Sequence, residues 1–408
     1  MIICKNNKTA NIAINLAAHT LAGKKLDEIP YSDEEMQAVY EYAKRADIGG
    51  ITYVAIENAL DEEKTFDKES FYFEWKRLRL NSYRRNLLYD KEQKKILNFF
   101  DEHGIWYMPL KGAVIKDFYP SPDLREMNDI DILIDKTKRE EINEYMTSIG
   151  YSKWDHGYHD DPESVNGEIT KGENTDDYVK KPFYYFEMHK YLIEDSYSPY
   201  VAKHYDQIMD IVVKDEGNKC GYHFKDNDFY IYLIAHAHKH FSANGIGIRF
   251  LMDVYIYLNS HQDLDLDYIV EFLDKAGISG FEKDVRDLCQ MAFDVDSQVD
   301  IDDLSEPQRK LYDSVIGADT FGNIETRWKN QVYTLGSGED VSKFKYYKSR
   351  LFPNEKWYRI YHPFVYKHKI VKPFFIIYRM TVMAFRGRKT VKREMEQIGG
   401  KDASVKRD

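Results

Sequence analysis

The sequence predicts an α+β fold, a short strand-bearing core between helical amino- and carboxyl-terminal units. Three features predict it: helical spacing of apolar residues from Asp33 to His103, a change to short β-prone runs between Ile105 and Leu192, and a return to helical spacing from Asp226 onward. At 408 residues the chain exceeds what one hydrophobic core usually organises. The expected division is a helical unit over 1–98, an α/β core over 99–195, a helical unit over 196–300, and a helical region with a basic tail over 301–408.

The elements follow in order. Ser32, with Glu35 three residues on, reads as an N-cap and capping box, and Met36, Val39, Tyr40, Tyr42 and Ala43 give the helix behind it an apolar stripe. A second long helix is expected over Glu69 to Phe100. Gly104 ends it, Ile105 to Leu110 form a strand, Gly112 breaks that strand, and Ala113 to Phe118 make a short helix before the Tyr119-Pro120-Ser121-Pro122 turn. Asp129 to Asp135 is the next strand, and Thr137 to Ile149 is an amphipathic helix with Ile142, Tyr145, Met146 and Ile149 on one side. The polar stretch from Asp155 to Lys181 reads as a long loop or weak hairpin entering a strand at Pro182 to Leu192. Helical spacing then covers Asp226 to Asn259 and Leu266 to Phe293.

Composition narrows the class. Hydrophobic residues at 43% and charged residues at 31% are globular proportions. Cys4, Cys220 and Cys289 show no paired spacing of a zinc site or a disulfide scaffold, which fits a reducing compartment. The amino terminus lacks a signal-peptide pattern, and no apolar run nears the roughly 20 residues that span a bilayer, so a cytoplasmic protein is expected. A net charge of -11 argues against a general grip on nucleic acid. That charge is uneven: Asp263 to Asp303 is acidic and Lys343 to Lys401 is basic, which leaves the basic tail as a contact for an anionic partner.

The chemistry-bearing residues lie in the middle. Alternation in DIDILID sends Ile130, Ile132 and Ile134 to one face and Asp129 and Asp131 to the other. Like charges on one strand face require neutralisation, and Mg²⁺ takes carboxylate oxygens together with substrate phosphates. The same alternation in FYYFEMHKYL groups Tyr185, Glu187, His189 and Tyr191 and makes Glu187 a third carboxylate. Three carboxylates on neighbouring strands can hold two metals, one activating an attacking oxygen and one bound to a triphosphate. Lys111 and Gly112, between a strand and a helix, offer an amine and free amides to a phosphate. Arg125 either binds a polyphosphate oxygen or pairs with Glu126 or Asp123.

The series LKGAVIKDFYPSPDLREMNDIDILID, followed further on by FEMHKYL, resembles the poorly characterised bacterial nucleotidyltransferase family of the DNA polymerase β superfamily. That family reads LKG, a Tyr-Pro and an Arg, DIDLLV, then an E-L-H strand. The resemblance implies a small mixed-sheet nucleotidyltransferase core. It also implies transfer of a nucleoside monophosphate from an NTP with Mg²⁺ (or Mn²⁺) on Asp129, Asp131 and Glu187, to an acceptor on a small molecule, a protein or RNA. Nucleotide contacts then fall to Lys111, Gly112, Arg125 and His189. The broader superfamily usually carries Gly-Ser or Gly-Gly in the phosphate turn, where this chain has Lys111-Gly112-Ala113. Two rival readings are a toxin-like transferase acting on tRNA and a catalytically silent nucleotide-binding regulator.

Blander readings stand beside these. Asp129 and Asp131 could close a solvated strand end, Glu187 and His189 could be the polar face of an edge strand, and Lys111 could be a solvated turn lysine. On a helix His236 and His240 share a face and His238 points away, so one site can use two at most. Arg249 and Asp253 have the spacing of a helix-surface pair, and with His240 they are secondary candidates for acceptor contacts. From alternation alone, Asp131→Asn is expected to remove turnover at little cost in stability. In YRIYHPFVYKHKIVKPFFIIYRMTVMAFRGRKTVKR, an interfacial membrane helix, an RNA-binding surface and a packed helix with a solvated basic tail compete, the last as the default.

Overall fold

A computed structural model describes residues 2–3, 7–154, 175–193, 197–243, 245–317 and 363–385. Residues 155–174 of the loop expected over Asp155 to Lys181, and the basic tail beyond Phe385, lie outside the described residues. Described residues up to Gly317 form one compact unit, and those from Pro363 to Phe385 belong to a second.

Helix α1 (Lys8–Leu21) has no counterpart in the sequence reading. Ala10, Ile14 and Ala17 are fully buried at the i, i+4, i+7 spacing of one face, and Asn11, Asn15 and His19 form a half-buried polar stripe beside it, so the helical pattern lay in the sequence. Helix α2 (Asp33–Arg45) opens on the predicted capping box: the Ser32 amide donates to Glu35 Oε2 at 2.9 Å and the Glu35 amide to Ser32 Oγ at 3.3 Å. Then come α3 (Gly49–Ile56), α4 (Glu62–Phe66) and the 32-residue α5 (Phe71–Glu102). Helices Asp226–Ala243, Ile248–Ser260, Leu266–Lys275, Ser279–Phe293 and Glu306–Gly317 complete the unit, and buried residues of α1, α2 and α3 share one core with them. The helix expected over Asp226 to Asn259 is broken in two around Gly245 and Gly247.

Strand β1 (Ile2–Ile3) pairs in parallel with Val299–Asp300. The main sheet is built from β2 (Tyr107–Pro109), β3 (Ile130–Ile134), β4 (Ser152–Lys153), β5 (Thr175–Lys180) and β6 (Tyr184–His189), in the order β2-β3-β6-β5-β4. Only β3 and β6 run parallel, so the sheet is mixed and the fold is α+β. Ile130, Ile132, Ile134, Phe186, Met188 and Tyr178 share one apolar face with Ile96 and Phe100 of α5 and with Ile142 and Met146 of α7 (Arg139–Ser148), which follows the four-residue α6 (Gly112–Ile115).

The strands are shorter than Ile105–Leu110, Asp129–Asp135 and Pro182–Leu192, and Asp129 stands just before β3. A correction falls at the end of the polar stretch, where Thr175–Lys180 is the interior strand β5. Its carboxylates are tolerated because they have partners: Asp176 pairs with Arg139, with Lys153 at 2.9 Å and with Lys190 at 3.6 Å, while Asp177 accepts from the Tyr185 hydroxyl at 2.7 Å. Among the described residues no helix is long and apolar enough to cross a membrane.

Candidate active site

Register places the acids. Parallel pairing sets Asp131 directly opposite Glu187, and antiparallel pairing sets Asp177 opposite Glu187 on its other side. Opposed residues share a sheet face, so three carboxylates from three strands form one row. His189, two residues after Glu187, joins that face, and ligand atoms of Asp131, Glu187 and His189 lie within 4.8 Å of one another. All three side chains are buried, so Asp131 does not stand at a solvated strand end, and β6 is an interior strand rather than an edge; Asp129 is half-buried.

An ammonium and an imidazole meet one oxygen. Lys111 Nζ lies 2.6 Å from Asp131 Oδ1, and the His189 Nε2 proton is donated to the same atom across 2.7 Å, with Glu187 Oε2 at 3.6 Å from that nitrogen. Burial works against a charged Asp131, but attraction to Lys111 and the hydrogen bond from His189 outweigh it and hold the carboxyl below its usual range. For Lys111, burial opposes the charge and Asp131, Tyr232 and Glu187 overcome it, so its pKa is raised. His189 is raised as well: burial and Lys111 disfavour its cation, and the bonds to Asp131 and Glu187 prevail.

Lys111 also has an unusual backbone. Its φ of 48° and ψ of -121° lie where residues with a Cβ rarely go, immediately before α6. The Leu110 amide donates to the Asp131 carbonyl at 3.0 Å, which anchors the turn to β3 and aims Lys111 along the carboxylate face. Such an outlier persists only where its surroundings over-determine it.

Arg125 is placed differently from either sequence reading. Its Nε and Nη2 donate to Asp253 Oδ1 and Oδ2, each at 2.8 Å, the Tyr119 hydroxyl donates to the same Oδ1 at 2.8 Å, and neither Glu126 nor Asp123 is its partner. Nη1 lies against Met127 Sδ at 3.0 Å. A Cβ added at Gly112 would overlap the Arg125 guanidinium, 2.8 Å from its Cζ, so the glycine lets the turn close over the buried fork. The predicted surface pair of Arg249 and Asp253 is therefore corrected. Asp253 turns inward to Arg125, and Arg249 donates to the Glu126 carbonyl at 2.9 Å and approaches Asp47 at 3.5 Å.

Helix Asp226–Ala243 covers the carboxylate side. His236 and His240 face each other, Nε2 to Nε2 at 3.1 Å, and His238 turns away to the Tyr197 hydroxyl at 2.7 Å, as helical spacing predicts. Burial, then the nearby charges of Lys111 and His240, push the His236 pKa well down, so it is neutral. Tyr232, one turn earlier, lies within electrostatic range of Lys111, Asp131 and Glu187, and its buried hydroxyl has no hydrogen-bond partner among the described residues. Sequence reasoning missed Tyr232 and Asp177. Alternation in TDDYVK, which groups Asp177 with Thr175 and Val179, was the available signal for the second.

Asp129, half-buried and outside the three residues whose ligand atoms converge, lies within electrostatic range of Asp131 and Glu187 and has the opposite behaviour. Burial and the charges of Asp131 and Glu187 raise its pKa to about 6, against weaker help from Lys111 and Arg249. A carboxyl raised on folding contributes stability below its unfolded pKa and loses that contribution as pH rises through about 6. Metal-free Asp129→Asn is therefore expected to be more stable than wild type at pH 7 by about 2 kcal/mol, with the difference vanishing near pH 4. Melting curves at both pH values in chelator check this, and a variant that melts lower than wild type at pH 7 contradicts it.

A family model described as an uncharacterised nucleotidyltransferase matches residues 32–294, a span that contains every residue of the candidate site. Comparison with curated proteins and with solved structures finds no match.

Proposed function

This chain belongs to the uncharacterised nucleotidyltransferase family, and on that premise we propose that it moves a nucleoside monophosphate from an NTP to an acceptor hydroxyl or phosphate with a divalent metal. The observation that carries this reading is the alignment of Asp131 with Glu187 across parallel β3 and β6, with Lys111 and His189 on the same carboxylate oxygen. The donor set suits the metal: Asp129, Asp131 and Glu187 present hard oxygen ligands, as Mg²⁺ or Mn²⁺ prefers. Bound there, the ion would neutralise charge on the triphosphate and lower the pKa of the attacking oxygen.

In the reaction the acceptor oxygen bonds to the α-phosphorus, the bond from that phosphorus to its bridging oxygen breaks, and pyrophosphate leaves with the electron pair. The acceptor proton passes to solvent. Lys111, held over the carboxylates by its backbone, supplies a cation to the incoming phosphates, and the α6 turn at Gly112 supplies amides. His189 orients Asp131 through its Nε2 proton. Arg125 acts at one remove, because its fork is committed to Asp253 and it supports the turn from below. The Tyr232 hydroxyl is assigned to a substrate or water contact, since a buried hydroxyl without a partner is costly.

The test offers the four NTPs, α-labelled, with Mn²⁺ and a cell extract, and follows label transfer together with pyrophosphate release. Label transfer abolished by chelator is the expected result. Nucleotide binding without pyrophosphate release from any NTP would favour the silent regulator, and transfer that persists in chelator would remove the metal from the proposal.

A further inference from the structure

On helix α5, residues 82, 85, 86 and 89 follow the i, i+3, i+4, i+7 spacing of one face. That face holds the segment leading into β3. The Ser82 hydroxyl donates to the Asp123 carbonyl at 2.8 Å, the Asn86 side-chain amide to the Pro122 carbonyl at 3.0 Å, and the Tyr89 hydroxyl to the Asn128 carbonyl at 2.9 Å. Asn128 immediately precedes Asp129, so α5 sets the position of the first acid of the site.

Arg85 is the charged member of this face. It is half-buried, and its guanidinium lies 5.8 Å from the centre of the Tyr89 ring and 5.2 Å from that of Phe183. Nε is buried without a hydrogen-bond partner among the described residues, and Nη2 lies 3.5 Å from the Asn128 carbonyl, at the outer limit of a hydrogen bond. Among the described residues no carboxylate forms an ion pair with it. Neighbouring cations are committed: Lys111 to Asp131, Arg125 to Asp253, Lys116 to Asp90, Arg79 to Asp123 and Arg249 to Asp47. Glu126 lies within electrostatic range of Arg85, but it accepts from the Gly50 amide at 2.8 Å and burial raises its carboxyl to about 7, which makes it a partial counter-charge at neutral pH.

A guanidinium drawn out of water costs free energy until an anion compensates it. A planar fork with no carboxylate on it matches two oxygens of a phosphate or of a carboxylate, which an ammonium does not. Arg125, the arginine the sequence suggests for such a contact, already has its fork filled by Asp253. We propose that Arg85 receives an anionic group of a substrate, a phosphate or a carboxylate, beside Asp129. The inference deepens the nucleotidyl-transfer reading by naming the charge of what enters there, and its binding measurement needs no turnover, so the two can fail separately.

The experiment titrates the full chain with each NTP and with inorganic pyrophosphate in Mn²⁺ by calorimetry, and follows α-label transfer in cell extract. Arg85→Met keeps an apolar stem on the two rings and removes the fork. Arg85→Gln is a second variant without the fork should the first not fold, and Arg84→Met, exposed on the same helix, controls for lost charge alone. A loss of affinity of about tenfold or more for the NTPs and pyrophosphate, absent from Arg84→Met, assigns the anion to the polyphosphate. Retained affinity with label transfer reduced by about tenfold or more assigns it to the acceptor. Melting curves in inorganic phosphate serve a protein that binds no NTP, a result that would sink the transfer reading. There, a wild-type stabilisation lost in the Arg85 variants still supports the proposal, and no stabilisation overturns it. Equal losses in Arg84→Met overturn it as general charge attraction. Unchanged affinity and transfer in a folded Arg85 variant overturn it too, and leave the guanidinium a packing role against Tyr89 and Phe183.

Discussion

Asp131→Asn should lower turnover by about a thousandfold, about 4 kcal/mol of barrier, because on the proposed function it removes a charge from the metal ligands while leaving the side-chain shape. Strand alternation alone implied that this change would leave stability nearly untouched. The structure alters that expectation. Asp131 is buried and receives both Lys111, at 2.6 Å, and His189, at 2.7 Å, so the amide leaves a buried ammonium facing a weaker acceptor. Glu187 remains within electrostatic range of Lys111 and limits the damage. A loss of about 2 kcal/mol is expected in metal-free denaturation, less than a fully orphaned ion pair would give. The sign of the pH dependence follows. Asp131 is held below its usual range, so its contribution is present at neutral pH and is lost as pH falls through the carboxylate range. The gap between wild type and variant should thus close in acid, while for Asp129→Asn the neutral-pH difference has the opposite sign. A label-transfer assay showing equal rates for wild type and Asp131→Asn would end the catalytic assignment, and unchanged stability would show that the lysine contact is not maintained in solution.

These two neighbouring aspartates show what the sequence could and could not convey. Alternation in DIDILID identified the apolar face, and Ile130, Ile132 and Ile134 are buried in it as the pattern requires. It also placed Asp131 and Glu187 on one face each, but only the parallel register shows that they are opposite each other. The capping box at Ser32 was legible because its signal is local: one hydroxyl and one carboxylate three residues apart. Helix α1 carried a narrower signal, a single polar stripe of Asn11, Asn15 and His19 on a helix whose remaining face is mostly buried. Strand β5 was hidden. Asp176 and Asp177 look like loop residues until Arg139, Lys153 and Tyr185 are seen to satisfy them, and two of those partners lie over twenty residues earlier in the chain. The partner of Arg125 was farther still, at Asp253, and no local pattern links residues that meet only through tertiary packing.

That distant pair should give the largest effect on stability. Arg125 and Asp253 are both buried, bonded fork to carboxylate at 2.8 Å on each arm, with Tyr119 as a third member on Asp253 Oδ1. Asp253→Ala leaves a buried guanidinium and a tyrosine hydroxyl without their acceptor, and a cost of about 3 to 5 kcal/mol is expected. Arg125→Met leaves the carboxylate buried instead, with the Tyr119 hydroxyl still donating to it, and should cost a similar amount. In the double variant Arg125→Met with Asp253→Leu no charge is stranded, so its loss should fall well short of the sum of the single losses. Denaturant titrations of the three variants measure this coupling. The pair also packs against the turn at Lys111 and Gly112, where Gly112 has no room for a Cβ because of the Arg125 guanidinium. Refilling the space with apolar groups restores stability without restoring that support, so the double variant should remain poor in nucleotide binding even where its fold is recovered. Losses below about 1 kcal/mol in both single variants would mean that solvent reaches the pair. Full nucleotide affinity in a folded double variant would detach Arg125 from the turn and reduce its role to packing.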